Sequence, residues 1–305
     1  MIRTDRHHLI MAGQSHPGET GKNNEDAFSI TSYVLEVGKV PSLLAVVADG
    51  IGGHQAGEVA ASLAVETFVQ RVAASSGREP LKVLRAAVIE ASHAIQRAAS
   101  NSPDQEGMGS TIAVAWEIGG KLYTVSVGDS RIYLLRGAAL RRLTTDHTWV
   151  QEALDHGIIA PEEVHNHPQA HVLRRHLGGV QDPQPDFRLR LKADESDSHS
   201  EANQGLVLRA GDRFLVCSDG LTDLVNDAEI QSILGTHSPA AATQMFIDLA
   251  RERGGHDNIT VISALVPALR RRHPVLFNLL LTLVLMLILV AAGSLGLWWF
   301  GLWPW

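Results

Sequence analysis

The sequence has 305 residues, of which 45% are hydrophobic and 19% charged. This is the composition of an ordinary globular protein and the length of one large domain or two small ones. A net charge of −7 argues against general nucleic-acid binding, and the one cysteine, Cys217, excludes an intrachain disulfide and suits a reducing compartment.

Met1–Ile10 carries Arg3, Asp5, Arg6, His7 and His8 and has no apolar core, so no secretory signal is expected. Phe28–Leu35 and Ser42–Ala48 are apolar, β-branched runs and predict strands. Gly57–Ala73 and Leu81–Ala99 have apolar residues at helical spacing, joined by Ser75-Ser76-Gly77. Thr111–Trp116, Leu122–Val127 and Ile132–Leu135 predict successive strands, with turns at Gly119-Gly120 and Gly128-Asp129-Ser130. The stretch Asp146–Gly179 is polar and rich in histidine, with a short helix predicted at Trp149–His156. Its histidines, among them His165, His167, His171 and His176, lack a standard zinc spacing, so a polar surface flap over a cleft is expected.

Strands are predicted again at Phe187–Leu191, Leu206–Leu208 and Arg213–Cys217, with a mobile polar loop at Ala193–Gln204. Two helices, Asp227–Leu234 and Pro239–Arg251, and a strand at Asn258–Leu265 complete a single domain over residues 1–266. Strands clustered around a helical hairpin predict an α+β fold.

The end of the chain differs. Val275–Leu297 contains no charged residue. About 23 residues at 1.5 Å rise span roughly 34 Å, enough for a hydrocarbon core of about 30 Å. Arg270, Arg271 and Arg272 lie just before this stretch, and Trp298, Trp299, Trp303 and Trp305 follow it. Basic residues favour the cytoplasmic side and Trp the interface. The expectation is a basic linker at 267–274, a single transmembrane helix at 275–297 and an interfacial tail at 298–305. The membrane is then a partner, and the domain lies in the cytoplasm.

Five aspartates sit at predicted strand ends. Asp26 follows Asn23-Asn24-Glu25; Asp49 precedes Gly50; Asp129 follows Gly128; Asp219 precedes Gly220; Asp257 precedes Asn258. Singly, an Asp-Gly pair is usually a turn. Together, such residues can converge on one rim of a sheet, where carboxylates repel each other unless a cation neutralises them. Oxygen ligands alone favour Mg²⁺ or Mn²⁺ over zinc. Such a pair of ions can activate water for attack on phosphorus.

From about Gln14 to Val266 the chain resembles the protein phosphatase 2C family of metal-dependent phosphatases, in its bacterial form. The resemblance rests on Asn24-Glu25-Asp26, Val47-Ala48-Asp49-Gly50-Ile51-Gly52-Gly53-His54, Gly107-Met108-Gly109-Ser110-Thr111, Val127-Gly128-Asp129-Ser130-Arg131, Leu143-Thr144-Thr145-Asp146-His147, Cys217-Ser218-Asp219-Gly220-Leu221 and Gly255-His256-Asp257-Asn258-Ile259-Thr260. It implies a four-layer αββα sandwich and hydrolysis of phosphoserine and phosphothreonine in proteins at a binuclear Mn or Mg centre. The implied substrates are phosphoproteins made by a bacterial Ser/Thr kinase, and the implied catalytic domain is monomeric. Asp49, Asp219 and Asp257 would be the catalytic aspartates. Asp49 would bridge two metals, and Gly50 would lend a carbonyl to one. Asp219 and Asp257 would complete the first metal and Glu25 the second, with Asp26 supporting them from behind. Asp129 would help hold a looser third ion, or else only shape its turn.

Two departures stand out. Relatives place a phosphate-clamping arginine where this chain has Gly21, so Lys22 is either its substitute or a solvated loop lysine. Ile51 stands where eukaryotic relatives have a histidine, and the nearby His54 is expected to pack or cap. The competing reading is a regulatory phosphoprotein-binding domain with little turnover. Cys217 is not expected to be a phosphatase nucleophile, because position 223 is aspartate where a cysteine-based phosphate loop needs arginine; its strand context predicts a buried core thiol.

Overall fold

The structure is a computed structural model that describes residues 1–52, 56–164, 167–192, 194–268, 282–284 and 286–288. Met1–Pro267 forms one compact unit and Ala268–Trp305 a second. The architecture below is that of the first.

In chain order the elements are β1 (Ile2–Thr4), β2 (Ile10–His16), β3 (Asp26–Val34), β4 (Pro41–Ile51), α1 (Ala56–Ala73), α2 (Pro80–Asn101), β5 (Gly109–Ser110), β6 (Ile112–Ile118), β7 (Lys121–Val127), β8 (Arg131–Arg136) and β9 (Ala139–Arg142). There follow α3 (Trp149–Asp155), α4 (Asp197–Ala202), β10 (Leu206–Val207), β11 (Arg213–Cys217), α5 (Asp219–Thr222), α6 (Asp227–Thr236), α7 (Pro239–Glu252) and β12 (Ile259–Leu265). One sheet runs β1-β3-β4-β6-β7-β10, with β5 paired to β4; the other runs β2-β12-β11-β8-β9. Both sheets are antiparallel throughout.

The period-two alternation of β4 explains the layering. Leu44, Val46 and Ala48 face a core shared with α1 and α2, where Phe68, Leu84 and Ile95 are buried. Leu43, Ala45 and Val47 face the other sheet and pack with Phe214 and Val216. In β11 the alternate residues Leu215 and Cys217 turn to a third core with Ile230 of α6 and Phe246 of α7. Three apolar interiors separate four layers, helices outside and sheets inside. Cys217 is a buried thiol of the third interior, and burial pushes its pKa up to about 12.

Local chemistry sets the helix starts. Asn226 and Glu229 form a reciprocal capping box on α6, Ser238 caps α7 and Thr148 caps α3. Two sequence expectations need correction, and one strand was not expected. Phe187–Leu191 is not a strand: Leu189 N–H donates to Ser200 O and Arg190 N–H to Leu143 O, so the stretch lies along a helix and a loop rather than a sheet edge. Within the expected loop Ala193–Gln204, α4 forms because Ser196 Oγ caps it and Ser200 is buried beneath it. The strand β2, Ile-Met-Ala-Gly-Gln-Ser-His, has too few β-branched residues to announce itself, and pairing with β12 makes it a strand.

The stretch 275–297 lies largely outside the described residues. Those described, 282–284 and 286–288, are helical, and Leu283, Val284, Met286, Leu287 and Ile288 are exposed. Among the described residues no helix is long and apolar enough to cross a membrane.

Candidate metal centre

Four strand ends meet at one rim of the two sheets. Asp26 and Asp49 are cross-strand partners at the joined ends of β3 and β4. Asp219 follows β11 and opens α5, and Asp257 precedes β12 beside it. Asp129 follows β7 and is buried.

Hydrogen bonds fix each backbone. Thr111 N–H and Ser110 Oγ donate to Asp49 O at 2.8 and 3.0 Å, and Asp49 N–H donates to Thr111 Oγ1 at 3.0 Å. Ser218 Oγ donates to Asp26 Oδ2 at 2.8 Å, tying the two sheets together. Asn258 accepts Glu25 N–H at 2.6 Å and donates to Pro17 O and Asn23 O at 3.0 and 3.1 Å, anchoring the loop that carries Glu25.

Glycine is required at two positions by close approach. A Cβ at Gly50 would lie 2.1 Å from Gly57 O and 2.6 Å from Glu25 O. A Cβ at Gly57 would lie 2.7 Å from Glu25 Cδ and 2.9 Å from Gly50 O. The two glycines let the Glu25 carboxylate and the Gly50 carbonyl share one space.

The peptide before Asp129 is held on both sides. Gly128 has φ +103° and its N–H donates to His147 Nδ1 at 3.0 Å, while His147 N–H donates to Gly128 O at 3.0 Å. His147 Nε2 lies 3.0 Å from Asp186 Oδ2. With Nδ1 accepting, the hydrogen bonds assign the ring proton to Nε2.

The electrostatics are those of a site short of positive charge. Burial, and then the neighbouring Asp26, Asp219, Asp129 and Asp257, push Asp49 well above the carboxylate range. Burial and the charge of Asp219 do the same for Asp129. Burial raises Asp26 to about 7, against the hydrogen bonds of Thr260 and Ser218. Burial and Asp257 raise both Asp219 and Glu25. Asp26 Oδ1 and Asp219 Oδ1 are buried without a hydrogen-bond partner. A buried, unpartnered carboxylate oxygen is costly unless a cation meets it. An all-oxygen donor set around such atoms fits Mg²⁺ or Mn²⁺.

The structure therefore brings together Glu25, Asp26, Asp49, Gly50, Asp129, Asp219 and Asp257. Lys22 is exposed, and its charge lowers the pKa of Glu25, which puts it within electrostatic reach of the rim. His54 and His165 lie outside the described residues. Two residues escaped the sequence reading. Asp223, one turn beyond Asp219, is raised to about 6 by burial and by Asp219. His171 Nδ1 lies 3.4 Å from Asp223 Oδ2, and His171, Asp219 and Asp223 have ligand atoms within 4.8 Å of one another. The i,i+4 spacing of Asp219 and Asp223 was the available signal. No sequence spacing links His171 to either.

Beside the rim lies a cleft of about 560 Å³, lined by Asp129, Asp219, Asp223 and Asp257 on one side and by Pro161, Val164, Ala170 and His171 of the histidine-rich segment on the other. Trp149 at the start of α3 stacks on His167, ring centroids 4.8 Å apart.

The protein phosphatase 2C family model matches residues 12–251. The Mycobacterium tuberculosis serine/threonine protein phosphatase PstP is 38% identical over 256 residues, covering 84% of this chain and 45% of PstP. The chain thus spans about half the length of that relative. The Listeria monocytogenes serine/threonine phosphatase stp is 34% identical over 225 residues, 72% of this chain and 82% of its own length. The crystal structure of the PstP catalytic domain in complex with two manganese ions superposes with a TM-score of 0.68 at 36% identity, covering 85% of this chain and 99% of that one. The sandwich, the order of its strand-end carboxylates and these matches agree: the chain belongs to the protein phosphatase 2C family.

Proposed function

We propose that the domain hydrolyses phosphoserine and phosphothreonine in proteins and depends on Mn²⁺ or Mg²⁺. The observation that carries this is the convergence of Glu25, Asp49, Asp219 and Asp257 from both sheets, with Asp219 Oδ1 buried and unpartnered. Asp49 would help hold two cations and the Gly50 carbonyl one of them; Asp219 and Asp257 would complete the first, Glu25 the second, and Asp129 would help hold a third, weaker ion. Asp49, Asp219 and Asp257 form the catalytic set. Bound divalent cations supply positive charge for the phosphoryl oxygens and lower the pKa of water. The chain's own part is preorganisation. Ser218 aims Asp26 from behind the ligands, Asn258 holds the Glu25 loop, and the His147–Gly128 bonds set the direction of Asp129. The test is phosphopeptide hydrolysis before and after exhaustive EDTA treatment. Activity should vanish with chelation and return with Mn²⁺. Equal turnover in EDTA would refute the reading.

Lys22 is the proposed phosphate-binding residue. A lysine provides a point charge without the two-pronged grip of arginine, so it should aid ground-state binding more than the chemical step. Lys22→Ala is expected to raise KM about three- to tenfold with kcat within about twofold. Steady-state kinetics on a phosphopeptide check this, and an unchanged KM would return Lys22 to the solvent.

Residues 275–297 are proposed as a single membrane span that keeps the domain on the cytoplasmic face. The supporting facts are the charge-free run, the arginines at 270–272 and the exposure of Leu283, Met286 and Ile288. Confinement near a membrane favours membrane-bound phosphoprotein substrates, those of a bacterial Ser/Thr kinase among them.

A further inference from the structure

A second cavity, about 370 Å³, shares Arg142 and Gln151 with the catalytic cleft. Its charged lining is Arg141, Arg142, Arg190 and Lys192 against one carboxylate, Asp155. Four cations in one concavity are unusual in a chain of net charge −7.

Part of that charge is not neutralised locally. Arg190 is matched by Asp197, 2.6 Å away. Arg142 lies 3.3 Å from Asp146, but that carboxylate is already gripped by Arg131 through Nε and Nη2 at 3.1 and 2.7 Å. Arg142 is thus a second cation on one anion. Arg141 donates to two backbone carbonyls, of Leu191 and Leu140, and among the described residues no carboxylate stands within ion-pair distance of it. Lys192 acts electrostatically on Glu195, whose carboxylate accepts the Leu191 N–H at 2.9 Å, but makes no close ion pair with it. Asp155 Oδ1 is occupied by Gln151 Nε2 at 2.8 Å.

Two lining hydroxyls can donate as well, while Gln151 Oε1 accepts from Arg142 Nη2 at 3.3 Å. Thr144 Oγ1 accepts from Ile132 N–H and Thr145 Oγ1 from Arg190 Nε, which leaves both hydroxyl hydrogens to be given. Guanidinium groups, an ammonium and two hydroxyls form a donor set for phosphate or carboxylate.

We propose that this pocket binds a second anionic group of the substrate, a phosphorylated or acidic side chain near the phosphoresidue being hydrolysed. The proposal rests on the phosphatase reading of the adjoining rim. The shared Arg142 and Gln151 make the two cavities neighbours, so one extended peptide reaches both. Binding at two linked points then lowers KM without altering the chemical step.

The test uses the full chain with Mn²⁺ and four substrates. Three are peptides of one sequence carrying one phosphothreonine and, at positions scanned along either side, alanine, glutamate or a non-hydrolysable phosphonate analogue of phosphoserine. The fourth is p-nitrophenyl phosphate, which is too small to reach the second pocket. The best-placed anionic peptide should show a KM about five- to tenfold below the alanine peptide, with equal kcat, and the advantage should shrink as salt is raised. Glutamate against phosphonate distinguishes a general anion site from one selective for phosphate. In Arg141→Glu/Lys192→Glu the advantage should disappear while p-nitrophenyl phosphate kinetics stay unchanged, and the milder Arg141→Gln should lose part of it. Equal KM for all three peptides in the wild type, or an advantage retained in the double variant, overturns the proposal. Failure of the wild type to hydrolyse p-nitrophenyl phosphate is a different result and would overturn the phosphatase reading instead.

Discussion

Asp219→Asn should lower kcat on a phosphopeptide by about a thousandfold or more, equivalent to about 4 kcal/mol of barrier, while making the metal-free protein more stable. The first effect follows from the proposed ligand role of Asp219, whose Oδ1 is buried and unpartnered. The second follows from repulsion. Burial first, and the charge of Asp257 second, raise the pKa of Asp219 above its ordinary 3.8. The folded, metal-free protein therefore holds more protons than the unfolded chain, and its stability falls as pH rises from about 4. Asp26, raised to about 7, extends that window to neutrality. Removing the Asp219 charge should flatten the fall and raise the metal-free Tm at pH 7.5 by a few degrees. Added Mn²⁺ should raise the Tm of the wild type far more than that of the variant. Scanning calorimetry at pH 5 and 7.5, with and without Mn²⁺, checks all three statements. A variant with wild-type kcat at saturating Mn²⁺ would remove Asp219 from the centre.

The second large effect concerns location. A chain ending at Pro267 should move completely from the membrane pellet to the supernatant and keep kcat/KM on a soluble phosphopeptide within about twofold. Met1–Pro267 is a compact unit with its own three interiors. Full-length protein should pellet with membranes, and protease added to the cytoplasmic side should digest the domain. Full-length protein remaining in the supernatant without detergent, or a domain shielded from cytoplasmic protease, would contradict the anchor and its orientation.

The sequence made the strand-end carboxylates legible for a physical reason. An apolar run that ends in Asp-Gly states both where the strand stops and that its last side chain is ionisable, as at Asp49 and Asp219. The paired strands β3 and β4 were legible as apolar, β-branched runs, β4 because both of its faces are buried, and the helices α1 and α2 from periodicity, since each buries one face. What stayed hidden depends on partners distant in sequence. β2 needs β12, α4 needs the burial of Ser200 against the run Phe187–Leu191, and His171 meets Asp223 across fifty-two positions. The basic pocket was equally invisible, because Arg141 and Lys192 come together only when the stretch after Phe187 lies along the end of β9.

Glu25 and Asp49 ride on one sheet, Asp219 and Asp257 on the other, and the interior between the sheets is apolar. Apolar packing has no preferred direction. A change of side-chain volume at Leu43 or Phe214 can therefore tilt one sheet against the other without breaking a single rung of either ladder. The gaps between the carboxylates would follow, and Mg²⁺ tolerates such changes less well than larger ions do. Preference among cations would then be written partly into residues that never touch one, and ordinary drift in a greasy interior would retune it while every proposed ligand stays in place.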